Sequence, residues 1–150
     1  MDDMDRRIIG LLAEDSRRAL ADIGGLVGLA PSSVNERIRR MVAAGVIRRF
    51  TVETDPSALD LPLLVFLRLV LRPEADATAF RQAIAGHPRI LECHHVTGAW
   101  PWLIKLRVET VAEIEVALDQ IRASGFLGQH ETTIALSSAV AGVFVPATMP

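Results

Sequence analysis

The chain has 150 residues, 50% hydrophobic and 23% charged, with a formal net charge of −2. That composition belongs to one ordinary globular domain or two small ones and excludes a chain disordered throughout. Its single cysteine, Cys93, excludes an internal disulfide framework; the longest apolar run, "LPLLVFLRLVL", is too short to cross a membrane and is broken by Arg68, and the start "MDDMD" is acidic where a signal peptide is basic. A soluble cytoplasmic protein with no membrane partner is expected.

Up to about residue 45 the apolar positions follow helical spacing. The first helix sets Met4, Ile8, Leu11 and Leu12 on one face and opens with Asp2, Asp3 and Asp5, where the helix dipole favours acids. A second, over 19–26, sets Leu20, Ile23 and Val27 at i, i+3, i+7. Gly24 and Gly25 inside it each cost about 1 kcal/mol relative to alanine, which a close helix crossing at Gly24 would offset. Gly28 supplies a turn, and Pro31 suits the first position of a third helix that runs to Ala44 and stops at Gly45. The stretch "VIRRFTV" then reads as a short strand.

In the third helix Val34, Ile38 and Met41 share one face; Ser32, Ser33, Asn35, Glu36, Arg39 and Arg40 share the other, with Arg37 on a flank. The charge is concentrated here. Residues 31–49 hold five arginines (Arg37, Arg39, Arg40, Arg48 and Arg49) against one glutamate, a local +4, and the 16 basic residues of the chain are arginines but for Lys105. Arginine forks suit phosphate and the edge of guanine. Two short helices with a tight glycine turn and such an outward row fit a DNA major groove; the competing reading is an ordinary solvated helix face.

Residues 53–62, "ETDPSALDLP", read as a linker. Beyond it the pattern gives strand 63–71, helix 75–86, strand 90–96, strand 102–108, helix 110–123 with Thr110 and Glu113 spaced as a capping box, and strand 131–145. That order is βαββαβ, the ferredoxin-like arrangement, in which both helices cover one face of an antiparallel sheet. Leu63, Val65, Leu67 and Leu69 then face the helices, leaving Leu64, Phe66 and Val70 with Arg68 on the bare side. An apolar patch there predicts a symmetric dimer packed sheet to sheet.

The first part of the chain resembles the Lrp/AsnC (leucine-responsive and asparagine regulator) transcription factors. The resemblance rests on Asp5 and residues 8–12, Asp15 and Arg17, "VGL" at 27–29, Arg37, "GVI" at 45–47 and "DPSAL" at 55–59. It implies an α+β protein with a winged helix-turn-helix domain over 1–52, a linker over 53–62 and a βαββαβ effector-binding and oligomerisation domain over 63–150. It also implies a regulator bound to double-stranded DNA, self-associated as a dimer, octamer or other higher assembly, and tuned by an amino acid or other small effector. Base edges fall to Ser33, Glu36 and Arg40, phosphates to Arg37, Arg39, Arg48 and Arg49, with Ser32 and Asn35 beside them. Ala30 departs from the serine usual there, at a loss of about 1 kcal/mol of helix capping.

The resemblance places an effector turn between the second and third sheet strands, here Thr97, Gly98, Ala99, Trp100, Pro101 and Trp102, with Thr132 and Thr133 of the last strand nearby. Gly98 fits. Pro101 stands where aspartate is usual and removes both a partner for an α-ammonium group and an N–H donor. Two readings stay open: a more apolar or aromatic ligand held against Trp100 and Trp102, or a turn that only packs at a subunit contact.

"ECHHV" at 92–96 invites a metal reading because Cys93 and His95 share a strand face, but zinc wants three or four ligands and His87 and His130 lack motif spacing. No glycine-rich phosphate loop, paired carboxylates or nucleophile motif is visible, so no cofactor and no enzymatic activity are expected. The alternatives of the same fold are a siroheme decarboxylase-like enzyme, whose Asn-His-Tyr segment is replaced here by Asp55, Pro56 and Ser57, and an interaction module that has lost DNA binding.

Overall fold

The computed structural model describes residues 1–142, 144 and 145 and separates into two units, Met1–Val52 and Glu53–Pro150. In the first, α1 (Asp3–Glu14), α2 (Leu20–Val27) and α3 (Pro31–Ala43) enclose Ile8, Ile23, Val27, Val34, Ile38 and Met41. Burying each such side chain is worth about 1.5–3 kcal/mol. Asp2 caps α1: its carboxylate accepts the N–H of Asp5, and the Asp5 carboxylate accepts the N–H of Asp2. At α3, Ala30 occupies the cap position without a side-chain hydrogen bond, and Pro31 opens the helix.

The α2–α3 turn is three residues long, 28–30. Gly28 takes a left-handed conformation, φ 74°, that closes α2. A Cβ at Gly24 would stand 2.5 Å from the carbonyl oxygen of Leu29, so this glycine makes room for the turn, not for a helix crossing as the spacing predicted. The wing strand expected over 46–52 is not formed; those residues are irregular, with Val46, Phe50 and Val52 exposed. A lone strand leaves its backbone groups unpaired, and no other strand lies in this unit.

The second unit holds β1 (Leu63–Leu71), α4 (Ala77–Ala85), β2 (Ile90–His95), β3 (Trp102–Val108), α5 (Val111–Ala123) and β4 (Leu127–Ile134), the sheet running β2-β3-β1-β4 with every neighbour antiparallel. This is the βαββαβ order. Val65, Leu67, Leu69, Ile104 and Leu106 are fully buried under Phe80 and Ile84 of α4 and Ile114, Leu118 and Ile121 of α5. Opposite them Leu64, Phe66, Val70 and Leu103 remain half-buried on the uncovered face. Charges there are paired across strands, Arg68 with Glu131 and Lys105 with Glu92.

Two expectations need correction, and the linker has contacts of its own. The last strand begins at Leu127 and ends at Ile134, instead of spanning 131–145; of that range, residue 143 lies outside the described residues. Thr110 starts α5 without a side-chain bond, because the Glu113 carboxylate reaches back one residue further, to the N–H of Glu109. Residues 53–62 are not a free tether. Arg107 donates to the carbonyls of Leu61 and Pro62, and the Thr54 N–H donates to the carbonyl of the buried Phe144 (3.1 Å).

Candidate functional site

Helix α3 presents the two faces that its spacing predicts. Val34, Ile38 and Met41 are buried in the core, while Ser32, Asn35, Glu36, Arg39 and Arg40 are exposed and Ser33 is half-buried. Arg48 and Arg49, just beyond the helix, are also exposed. The row of polar and cationic groups is therefore continuous along one surface of the helix and held from behind by apolar contacts.

Arg37 departs from that row. Its guanidinium donates to Asp2 (2.8 Å) and Asp5 (2.7 Å), and its side chain is only 26% exposed. Arg40 also lies 3.2 Å from both oxygens of Asp5 but stays 63% exposed. A phosphate contact by Arg37, expected from sequence, thus competes with two carboxylates already on it. The Arg37 guanidinium, and after it the Asp5 backbone N–H, hold the Asp2 carboxyl down to about 2. Asp5 is lowered for the same reasons, with the Arg37 hydrogen bond first, and Arg37 is raised in return. Sequence reading assigned Asp2 and Asp5 to the helix dipole alone. The signal for more was their spacing, i and i+3 at a helix start, which is that of a capping pair.

In the second unit the residues expected around an effector are not brought together within one chain. The β2–β3 turn exposes Thr97, Gly98 and Ala99, with Gly98 at φ 109°, a conformation that favours glycine, and the Val96 N–H donates to the Pro101 carbonyl (2.8 Å) to close the turn. Trp100 is half-buried. Trp102 is a core residue: its ring meets Phe80 edge-on at 4.9 Å, with the Arg81 guanidinium 5.2 Å above it and His95 at 4.7 Å. Thr132 and Thr133 lie on β4, at the other edge of the sheet from β2, and they face opposite ways, Thr132 beside Leu67 and Thr133 beside Phe66.

A depression of about 390 Å³ lies between α4 and β2 and is lined by Arg81, Ile84, Ile90, Cys93, His95 and Trp102 among others. Sequence reading missed it, although the alternation that puts Cys93 and His95 on one face with Trp102 marks its floor. Burial pushes the Cys93 thiol up, away from the reactive thiolate.

Comparison with known proteins agrees with both halves. Residues 1–42 match an AsnC-type helix-turn-helix domain, and residues 64–142 match an Lrp/AsnC ligand binding domain. The chain belongs to the Lrp/AsnC family. It is 34% identical over 131 residues to the HTH-type transcriptional regulator FL11 of Pyrococcus horikoshii, a match covering 87% of this chain and 86% of that one. The structure of Bacillus subtilis LrpC superposes with a TM-score of 0.83 at 28% identity, over 95% of this chain and 99% of that one. A Neisseria meningitidis transcriptional regulator, solved as an L-Met complex, shares the fold at 22% identity and a TM-score of 0.86, over 100% and 96% of the two chains. This Lrp/AsnC chain is a DNA-binding transcriptional regulator with a ligand-binding domain, and no helix among its described residues is long and apolar enough to cross a membrane.

Proposed function

We propose that the protein acts in the cytoplasm as a homodimer or higher assembly, possessing no enzymatic activity, and reads double-stranded DNA with the outward face of α3. Ser33, Glu36 and Arg40 address base edges, Ser32 and Asn35 flank them, and Arg39, Arg48 and Arg49 take phosphates. The observation that carries this reading is the division of α3: three buried apolar residues fix the helix, and a continuous polar and cationic row faces outward. Arg37 is withheld from the phosphate set because Asp2 and Asp5 occupy its guanidinium.

The dimer contact is the sheet face that no helix covers, where Leu64, Phe66, Val70 and Leu103 stay partly exposed. A small effector is held where the β2–β3 turn of one copy meets β4 of another. Support comes from β1, which lies between the β3 end of the turn and the β4 residues Thr132 and Thr133 in a single chain, so that a site using both is more readily completed by two copies. Pro101 offers an α-ammonium group no carboxylate, which favours a ligand recognised by apolar or aromatic contact. Selection of bound duplexes from a random pool by the purified protein tests the DNA reading. Enrichment of one motif is the expected result, and unchanged pool composition would sink it; calorimetry against the twenty amino acids tests the effector in the same preparation.

A further inference from the structure

We propose that Asp5, a residue of α1, is a positioning residue for DNA reading: its carboxylate fixes α3 through Arg37 and so sets where the base-reading side chains point. This rests on the reading of α3 as the DNA-reading helix. Asp5 is the one buried charged side chain among the described residues, at 1% exposure. It is held from both sides. Its N–H and one carboxylate oxygen are engaged with Asp2 in the cap of α1, and the other oxygen accepts from Arg37 of α3.

The directional contacts between α1 and α3 are all made by Arg37 and Arg40 on Asp2 and Asp5, and Asp5 is the only one of the two acids that is buried. The apolar contacts of Ile8 with Val34 and Ile38 resist separation but are indifferent to small rotations of the helix, because the hydrophobic effect has no preferred direction. A buried carboxylate that loses its best-placed arginine keeps only the longer, exposed contact with Arg40, so the pair favours the rotation and axial position of α3 that keep Arg37 on Asp5. Arg37 stands in the middle of the reading set: Ser33 is four residues before it, Glu36 one before and Arg40 three after. A helix advances about 100° per residue, so a small roll at Arg37 moves all three. The two arginines on Asp5 differ in kind. Arg37, with the shorter bonds and the covered side chain, is the anchor; Arg40, at 3.2 Å and 63% exposed, is free to leave for a base.

Charge counting and positioning predict opposite signs. Asp5→Asn removes a negative charge from a unit that approaches a polyanion, and electrostatics alone makes binding tighter. Positioning makes specific binding weaker. The experiment uses the full chain and four variants, Asp5→Asn, Arg37→Gln, the Asp5→Asn/Arg37→Gln pair and Arg39→Gln. Each is titrated at several salt concentrations against a duplex that the unaltered protein selected from a random pool, and against a scrambled duplex.

Asp5→Asn and Arg37→Gln are each expected to bind the selected duplex about tenfold more weakly, the size of a single base-edge interaction, with little change on the scrambled one. The log–log salt slope of Arg37→Gln stays where it was, whereas that of Arg39→Gln falls by about 1. The double variant, which leaves neither a lone buried carboxylate nor a lone guanidinium, recovers most of the affinity. It also carries the test if a single variant loses its helical circular dichroism. A salt slope lowered by about 1 in Arg37→Gln and retained in the double variant, or unweakened specific binding by Asp5→Asn, would overturn the proposal. If the unaltered protein selects no duplex, the DNA reading fails first and takes the proposal with it.

Discussion

In residues 1–52 the side chains that face outward and those that hold them in place alternate along one helix. In residues 53–150 the parts expected to form a site sit on a turn at one edge of a sheet and on a strand at the other. The difference lies in range. An α-helix converts sequence spacing into position at about 100° per residue, so the outward row of α3 is written in thirteen consecutive residues. A sheet converts it through pairings between strands far apart in the chain, and a site between copies of the protein adds a step that no single chain encodes.

The contrast between the two units is broken most sharply at their cores. Ile38→Ala is expected to cost about 2–5 kcal/mol and Phe80→Ala about 3–5 kcal/mol, each by leaving a cavity. Because the first core holds only six buried apolar residues, Ile38→Ala should abolish DNA retardation while leaving the second unit folded. Amide spectra of both variants check this, and loss of sheet signals in Ile38→Ala would show that the units do not melt separately. Next in size is Phe66→Glu, which puts a charge on the uncovered sheet face. It should weaken the dimer by at least about a hundredfold in analytical ultracentrifugation, since a buried unpaired charge costs several kcal/mol; an unchanged sedimentation profile would move the interface elsewhere.

Replacing Arg48 and Arg49 together by glutamine should lower the log–log salt slope by about 2, one for each phosphate no longer neutralised, without changing sequence preference. The smallest effect is a titration. Asp2 is held at about 2 against an ordinary value of 3.8. A carboxyl depressed in the folded state adds stability that is present above the unfolded value and lost as pH falls through the folded one. The link between α1 and α3 should therefore hold at pH 4 and above and loosen between pH 4 and 2. Carboxyl carbon resonances give the midpoint, and an Asp2 midpoint near 3.8 would deny the pairing with Arg37.

The same contrast of range explains what the sequence made legible. The bounds of β3 and the buried faces of α1, α2 and α3 follow from spacing, because each is decided by neighbours in the chain. β4 does not: Gly128, Gln129, His130 and Glu131 are polar because this is an edge strand, and their place in the sheet comes from β1. The β-branched and aromatic residues of 46–52 favour a strand, but a strand exists only with a partner. Arg37 shows the limit within the helix itself. Spacing put it on the flank of the outward row, and only the cap of α1, thirty-two residues earlier at Asp5, shows what its charge is paired with. Pro101 is legible as a departure, yet its consequence depends on which residues a second copy brings.

Base reading by α3 is the central claim, and Arg40→Gln tests it directly. Titrated against the selected duplex and a set with each base pair replaced in turn, this variant should bind about 1–3 kcal/mol more weakly and lose discrimination at a single base-pair position, keeping it at the others. Weakening by the same factor on every duplex, with discrimination intact throughout, would contradict it.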